Sequence, residues 1–450
     1  MSEDNKLDML QNAPIRSILF KYSLPAIVGT TIISLYNIID RIFIGQWVGA
    51  DAIMGMAITF PIMNLSSALG MLIGIGAAAR ISIALGEKNQ ERAEQIFGNS
   101  FLLLLIVAAS YLTVFAIYLE DILILFGASE RSLPYAYDFT LYLLPGMLIM
   151  NLCYSLNNVI RATGYPKKAM ITLLIGAGLN IVLAPIFIYF LDWGVKGAAI
   201  ATDISMGVSA IFVFSHFMSK DSVVRFKRGI YKLRWSVIAS IISIGAAPFL
   251  INVTTSSVNA FMNNILYEYG GDYAVGAAGI YITFASLVVM VIVGICQGMQ
   301  PILGYNYGLK RYDRVRRTYY LGVLLASAYC IFMTAIAIIA PEWIAIVFTD
   351  DAELIAVSAN GLSIATLFLW VAGFQIVTSN MFQAIGMAGK AILLSMSRQI
   401  IFFVPAVLLL PNLLGLDGVW SVYPVADFSS TLVAAVLVYQ LFRTKLRTFN

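Results

Sequence analysis

Residues 156–169 read LNNVIRATGYPKKA, and 222 positions further on residues 378–391 read TSNMFQAIGMAGKA. Asn158 pairs with Asn380, Ala162 with Ala384, Gly164 with Gly386, Lys168 with Lys390 and Ala169 with Ala391. The same shift pairs Gly76 with Gly298, Gly86 with Gly308 and Lys88 with Lys310, while Pro25 and Pro248 match at a shift of 223. Chance scatters identities; it does not gather them at equivalent helix ends under one shift. The chain therefore reads as two like-sized halves, an internal repeat of the kind many membrane transporters carry.

Outward from the repeat, the composition says what kind of halves these are. Of 450 residues, 60% are hydrophobic and 12% charged, about half the charge of an average soluble protein. A spanning helix needs about 20 mostly apolar residues. Twelve segments qualify: 18–44, 52–79, 96–119, 135–160, 169–190, 197–218, 236–266, 274–304, 319–340, 353–385, 391–410 and 418–441. The expectation is an all-α membrane protein of 12 transmembrane helices, six in an N-terminal lobe (1–218) and six in a C-terminal lobe (235–450), joined by a cytoplasmic linker at 219–234. Six is even, so both lobes enter the bilayer in the same orientation. They are then related by a pseudo-two-fold axis along the membrane normal, with a substrate path between them.

Orientation follows from Lys and Arg. With both termini on the cytoplasmic side, only Arg41, Arg131 and Lys196 fall outside and Arg398 within the membrane; every other basic residue is inside. The first seventeen residues are polar and lack a small-residue cleavage site, so no cleaved secretory signal is expected. A formal net charge of +4 is too mild to point to nucleic acid. Cys153, Cys296 and Cys330 lie in apolar stretches without metal-type spacing, and a single His216 leaves little room for histidine chemistry. No phosphate-cradling Walker sequence occurs in the inner loops, so ATP is not the direct energy source.

Polar side chains are expensive in hydrocarbon, which makes their positions informative. Span 1 carries Thr30, Ser34, Tyr36, Asn37 and Asp40; span 4 carries Asn151, Tyr154, Ser155, Asn157, Asn158 and Arg161; span 5 has Asn180, and span 6 has Thr202 and Asp203. In the second half, span 7 shows Asn252, Ser256, Asn259 and Asn263 at helical spacing, span 8 Gln297 and Gln300, and span 10 Gln375, Ser379 and Gln383. Any one such amide is as readily helix-to-helix glue; the set reads as a wet cleft, with Asn37, Asn158, Asn259, Asn263, Gln297, Gln300, Gln375 and Gln383 as candidate substrate contacts. Asp40 is the sharpest residue, a carboxyl able to alternate between acid and carboxylate, against the plainer reading of a charge neutralised by Arg41. Arg398 on span 11 and Asp427 on span 12 sit at comparable depth and read as a structural pair.

Several motifs resemble one family. Tyr22-Ser-Leu-Pro25, Tyr36-Asn-Ile-Ile-Asp40, Arg161-Ala-Thr-Gly-Tyr-Pro-Lys-Lys, Leu179-Asn180-Ile, Gly197-Ala-Ala-Ile-Ala-Thr202 and Gln300-Pro-Ile-Leu-Gly-Tyr-Asn are similar to the multidrug and toxic compound extrusion (MATE) family over essentially the whole chain. The resemblance implies two six-helix lobes around a cleft and cation-coupled export of amphiphilic, often cationic compounds. The likeness is greatest to the branch that takes protons in the N-terminal lobe. It implies a coupling site of Asp40, Asn157, Asn180 and Thr202, with Tyr36 close by and Pro25 where the first helix bends. One departure stands out: that branch has an aspartate four residues after the asparagine, and this chain has Ala184 before Pro185. Either Asp40 works alone, or Asp203 one helix away substitutes for the missing carboxyl, or coupling is impaired in this form.

The resulting expectation is a multi-pass inner-membrane antiporter, monomeric, with small-molecule amphiphilic cargo, membrane lipid around it and no nucleic-acid partner. It would use no cofactor and no metal, and would be coupled to a proton gradient, with sodium as the alternative ion. The rival within transporters is a lipid-linked saccharide flippase, whose pyrophosphate cargo favours several Arg or Lys in the cleft, whereas the mid-membrane basic residue here is chiefly Arg398. An intramembrane enzyme such as a prenyltransferase needs clustered aspartates for magnesium diphosphate, and Asp40 and Asp203 stand on different spans. A channel is the third rival, to be excluded by saturable, gradient-driven efflux.

Overall fold

The computed structural model describes residues 3–444, leaving aside the side chains of residues 3–6, Asn37, Arg41, Ala50 and Ala260. Among the described residues the regular structure is all helical. The N-terminal lobe comprises span 1 (Ile15–Trp47), span 2 (Ala50–Gly86), span 3 (Gln90–Leu125), span 4 (Leu133–Ala162), span 5 (Pro166–Pro185 plus a π-helical turn, Ile186–Phe190) and span 6 (Gly194–Met218). The 74-residue helix Trp235–Gly308 leaves helical geometry at Gly271 (φ 61°, ψ −157°), and the two sides of that break are spans 7 and 8. Span 9 is Tyr312–Ile339, span 10 the pair Ala352–Ala365 and Leu369–Ala384, span 11 Ala388–Leu414 with a π-helical turn at Ser397–Phe402, and span 12 Leu416–Thr444. Among the described residues, twelve apolar spans result.

Two irregularities depart from the simple reading of the sequence. Span 10 is not one straight helix: its pieces are bent by 54°, where the Thr366 hydroxyl donates to the Leu362 carbonyl at 2.7 Å and draws on the main-chain ladder. Span 5 widens into its π-helical turn directly after Pro185, whose ring nitrogen cannot donate to the helix.

The repeat is written into the backbone. Gly49 and Gly271, Gly164 and Gly386, and even the two lysines Lys88 and Lys310 all have positive φ at equivalent positions. Lys88 and Lys310 both have φ 59°, a conformation that costs a residue with a Cβ about 1–2 kcal/mol. Each ends a span in the same Schellman turn: Asn89 N–H donates to Ala84 at 2.9 Å in one half, and Arg311 N–H to Asn306 at 2.9 Å in the other.

The halves meet at the end that carries the Lys/Arg-rich loops, here the basic end. Span 2 packs on span 7, where a Cβ on Gly76 would fall 2.9 Å from the Ile241 carbonyl carbon, and span 8 packs on span 1, where one on Gly298 would fall 2.6 Å from the Ser23 nitrogen. Only glycine lets these backbones approach so closely. The segment 219–234 lies against the basic end of span 3, with Arg234 N–H donating to Asn99 Oδ1 at 2.8 Å and Lys227 pairing with Glu94 at 2.7 Å. The short N-terminal helix Glu3–Asn12 covers the same end, its Leu10 carbonyl taking Asn306 Nδ2 at 3.0 Å. Toward the opposite end the halves splay, leaving Phe60, Leu65, Val253 and Phe261 exposed. Large apolar side chains such as Ile117, Leu125, Ile338 and Ile339 are exposed as well, as a surface in contact with lipid requires.

Candidate substrate cavity and coupling site

A cavity of about 770 Å³ occupies the N-terminal lobe and reaches the facing span of the second half. Spans 1, 2, 4, 5 and 6 supply most of its wall, and Met290, Val293 and Gln297 of span 8 close it. Its polar groups stand where helical spacing puts them: Tyr36 and Asp40 one turn apart on span 1, and Tyr154, Asn157, Asn158 and Arg161 on one stripe of span 4. Met56, Met63, Met71, Met150, Met206 and Met290 add flexible, polarisable surface.

The expected coupling residues fall into two groups. Asp40, Tyr36, Asn157 and Thr202 line the cavity. Asn180 lies one layer deeper, 1% exposed, and donates through Nδ2 to Thr202 Oγ1 at 3.0 Å. Thr202 Oγ1 in turn donates to the Ala198 carbonyl at 3.0 Å. Asn157 is tied to the basic end: its Nδ2 donates to the Ala169 carbonyl at 2.8 Å and its Oδ1 accepts from Arg161 at 2.9 Å. Asp203 stands outside the lining set, its carboxyl packed on the backbone of Gly146, where a Cβ would collide with it. Ala184 is fully buried among apolar neighbours.

Among the expected substrate contacts, Asn158 and Gln297 line the cavity. The side chain of Asn37 lies outside the described residues. The remaining five do not line it. Gln300 donates to the Ile75 carbonyl at 3.4 Å, Gln375 to Leu394 at 3.2 Å and Gln383 to Ile244 at 3.4 Å, so these amides are buried glue between helices. Asn263 is exposed and Asn259 half-buried where the halves splay. Span 1 remains one helix through Pro25. Arg398 and Asp427 pair as expected, Nε to Oδ1 at 2.5 Å.

Sequence reasoning counted Arg161 with the cytoplasmic-side cations and also set it on the polar stripe of span 4. The structure puts it on the cavity wall, 6% exposed, one residue before span 4 ends. The stripe, not the loop count, was the better guide. Asn64 was missed, because span 2 shows no polar stripe around it; its Nδ2 donates to Ser256 Oγ at 2.7 Å across the mouth between the halves. Among the described residues no group of three or more His, Cys, Asp or Glu is placed to hold a metal ion.

The chain matches the MatE family model twice, over residues 25–186 and 248–408. It belongs to the MATE family. The two matches fall on the two halves of the repeat, so each lobe is one MATE unit. The multidrug export protein MepA of Staphylococcus aureus strain MRSA252 is 26% identical over 443 residues, 98% of this chain and 97% of its own length. MepA of Staphylococcus haemolyticus strain JCSC1435 is 26% identical over 441 residues, covering 98% and 96%. Among solved structures, an outward-facing multidrug resistance MATE transporter of the MOP superfamily superposes with a TM-score of 0.90 at 24% identity over 97% of this chain and 98% of its own. A MOP superfamily transporter from Pyrococcus furiosus gives 0.91 at 24% identity over 98% of each chain. At that identity the superpositions speak for the fold. This MATE chain is a multi-pass membrane transporter rather than a soluble protein.

Proposed function

We propose that the chain is a proton-coupled antiporter that exports amphiphilic, often cationic small molecules from the cytoplasm by alternating access. One observation carries the reading: a cavity of about 770 Å³ with thioether, aromatic and aliphatic walls and the carboxyl of Asp40 among them. Such a wall accepts many apolar shapes, and Asp40 supplies the charge that selects cations.

The basic end faces the cytoplasm in this reading, so the packed state is closed inward and open outward. Acid outside protonates Asp40, which releases its hold on a cationic cargo. The lobes rock, Asp40 loses its proton to the cytoplasm, and cargo binds again. One elementary charge moved through the membrane potential is worth about 2.3 kcal/mol per 100 mV, comparable with one carboxylate–cation contact. Tyr36 lies one turn away on span 1, and Asn180 and Thr202 hold the facing helices in register. Asp203 is a second carboxyl behind Gly146, available when the helices move.

The test is dye efflux from proteoliposomes under imposed gradients. A proton gradient alone should drive saturable efflux, and Asp40→Asn, an uncharged mimic of the protonated acid, should abolish that drive and weaken the binding of cationic cargo. Efflux driven by sodium alone, or an Asp40→Asn variant with unchanged proton dependence, refutes the assignment.

A further inference from the structure

Arg161 has an arrangement that cation export leaves unexplained. Its guanidinium is buried, yet it lies on the wall of the large cavity. Its bonding partners are neutral: Nη2 donates to Asn157 Oδ1 at 2.9 Å, and Nη1 donates to Oε1 of Gln297 on span 8, across the boundary between the halves. Among the described residues no carboxylate stands within ion-pairing distance of it. Arg398, inside the other lobe, shows the usual solution, with Asp427 at 2.5 Å. A buried guanidinium facing only amides is costly. It has five N–H groups in a rigid fork that matches an oxyanion, and the described bonds to Asn157 and Gln297 engage only its two terminal nitrogens.

Among the described residues that line the cavity, Asp40 and Arg161 are the charged ones. Asp40 lies near the open end of span 1, and Arg161 at the basic end of span 4, so the two charges stand toward opposite ends of an apolar chamber. We propose that Arg161 is an anion subsite, holding a carboxylate carried by an amphiphilic cargo, so that the transporter accepts acidic and zwitterionic compounds as well as cations. The proposal rests on the reading of this cavity as the cargo site. A carboxylate on the fork would compete with Gln297 for Nη1, loosening a contact between the halves at the end that must open.

Binding to the purified full chain tests this with two xanthene dyes that share a cationic ring system, one with a free benzoate carboxylate and the other its ethyl ester. The readout is the ratio of the two affinities in wild type, Arg161→Gln and Arg161→Lys. The Gln variant should weaken the carboxylate dye about tenfold or more and leave the ester within about twofold. The Lys variant should recover part of the loss, because it restores charge without the fork. A phosphate-bearing lipid headgroup presents a similar oxyanion. Displacement of the carboxylate dye from wild type by a short-chain phosphatidylglycerol places lipid phosphate on the same fork, whereas failure to displace it assigns the subsite to carboxylates. An affinity ratio equal in all three proteins overturns the subsite and leaves the cargo cavity standing. Binding of neither dye to wild type sinks the cargo cavity, and the subsite with it.

Discussion

Gly86 and Gly308 hold equivalent positions in the two halves and touch each other: a Cβ on Gly86 would fall 3.1 Å from Gly308 Cα, and one on Gly308 would fall 3.0 Å from the Gly86 carbonyl carbon. A residue that meets its own counterpart lies on the axis relating the halves. Ser82 and Gly304, another equivalent pair, meet in the same way, with the Ser82 Cβ 2.8 Å from where a Gly304 Cβ would stand. The pseudo-two-fold axis therefore passes between spans 2 and 8 at the basic end.

Because the obstructing atoms on the axis are backbone, they cannot rotate away. Gly86→Val and Gly308→Val should each destabilise the packed state by about 1–3 kcal/mol, and by similar amounts, since each residue sees the other's environment. Gly178 has nothing within 4 Å of its would-be Cβ, and Gly178→Val provides the control. Thermal unfolding in detergent checks the set. Equal midpoints for Gly86→Val and Gly178→Val would mean that the axial contact contributes nothing.

The ion pair between Arg398 and Asp427 predicts a different pattern. Asp427 is 2% exposed, and removing one partner of a buried pair costs about 3–5 kcal/mol because the other charge is stranded. Asp427→Asn should therefore lower the unfolding midpoint strongly. Replacing Arg398 with Met and Asp427 with Leu, uncharged side chains nearer in size to those they replace, should recover most of that loss. Dye binding in the N-terminal lobe should persist in every variant that folds, since the pair lies in the other lobe. A double replacement no more stable than Asp427→Asn would show that the guanidinium makes other contacts of equal weight.

Much of this architecture is legible in the residues. Identities at 164/386 and 88/310 locate the repeat because they mark turns with positive φ, where few residue types fit. The pairing of Arg398 with Asp427 is legible because neither charge survives alone in hydrocarbon. The polar face of the second half was misleading, because Gln300, Gln375 and Gln383 have the spacing of a cavity lining and the bonding of interhelical glue. Periodicity gives the face of a helix; it does not say whether that face meets water or another backbone. Arg161 shows the converse, a residue that loop counting puts in solvent and tertiary packing puts on the cavity wall.

Ala184 offers a gain-of-function test. It lies one turn from Asn180 on span 5 and is fully buried. Ala184→Asp introduces a second carboxyl beside the Asn180–Thr202 pair, which stands at 3.0 Å. In an otherwise proton-coupled chain the added acid should make efflux depend more steeply on the pH gradient, toward two protons per cargo, and should lower stability through its burial. Efflux measured against pH gradients of different size gives the slope. A slope identical to wild type in a variant that still binds dye would mean that this position does not communicate with Asp40.

The three cysteines give a probe that requires no substitution. Cys153 lines the cavity, whereas Cys296 and Cys330 are buried outside the lining set. A small neutral maleimide applied to the folded protein should therefore modify Cys153 first. Saturating cationic dye should slow that reaction, about tenfold when ligand stands at ten times its dissociation constant, since only the empty cavity reacts. Asp40→Asn should shift the protecting concentration of a cationic dye upward. Mass spectrometry of peptides after timed labelling reads all three sites at once. Reaction at Cys330 as fast as at Cys153, with no protection by dye, would place the accessible chamber in the other lobe and move the cargo path away from Asp40.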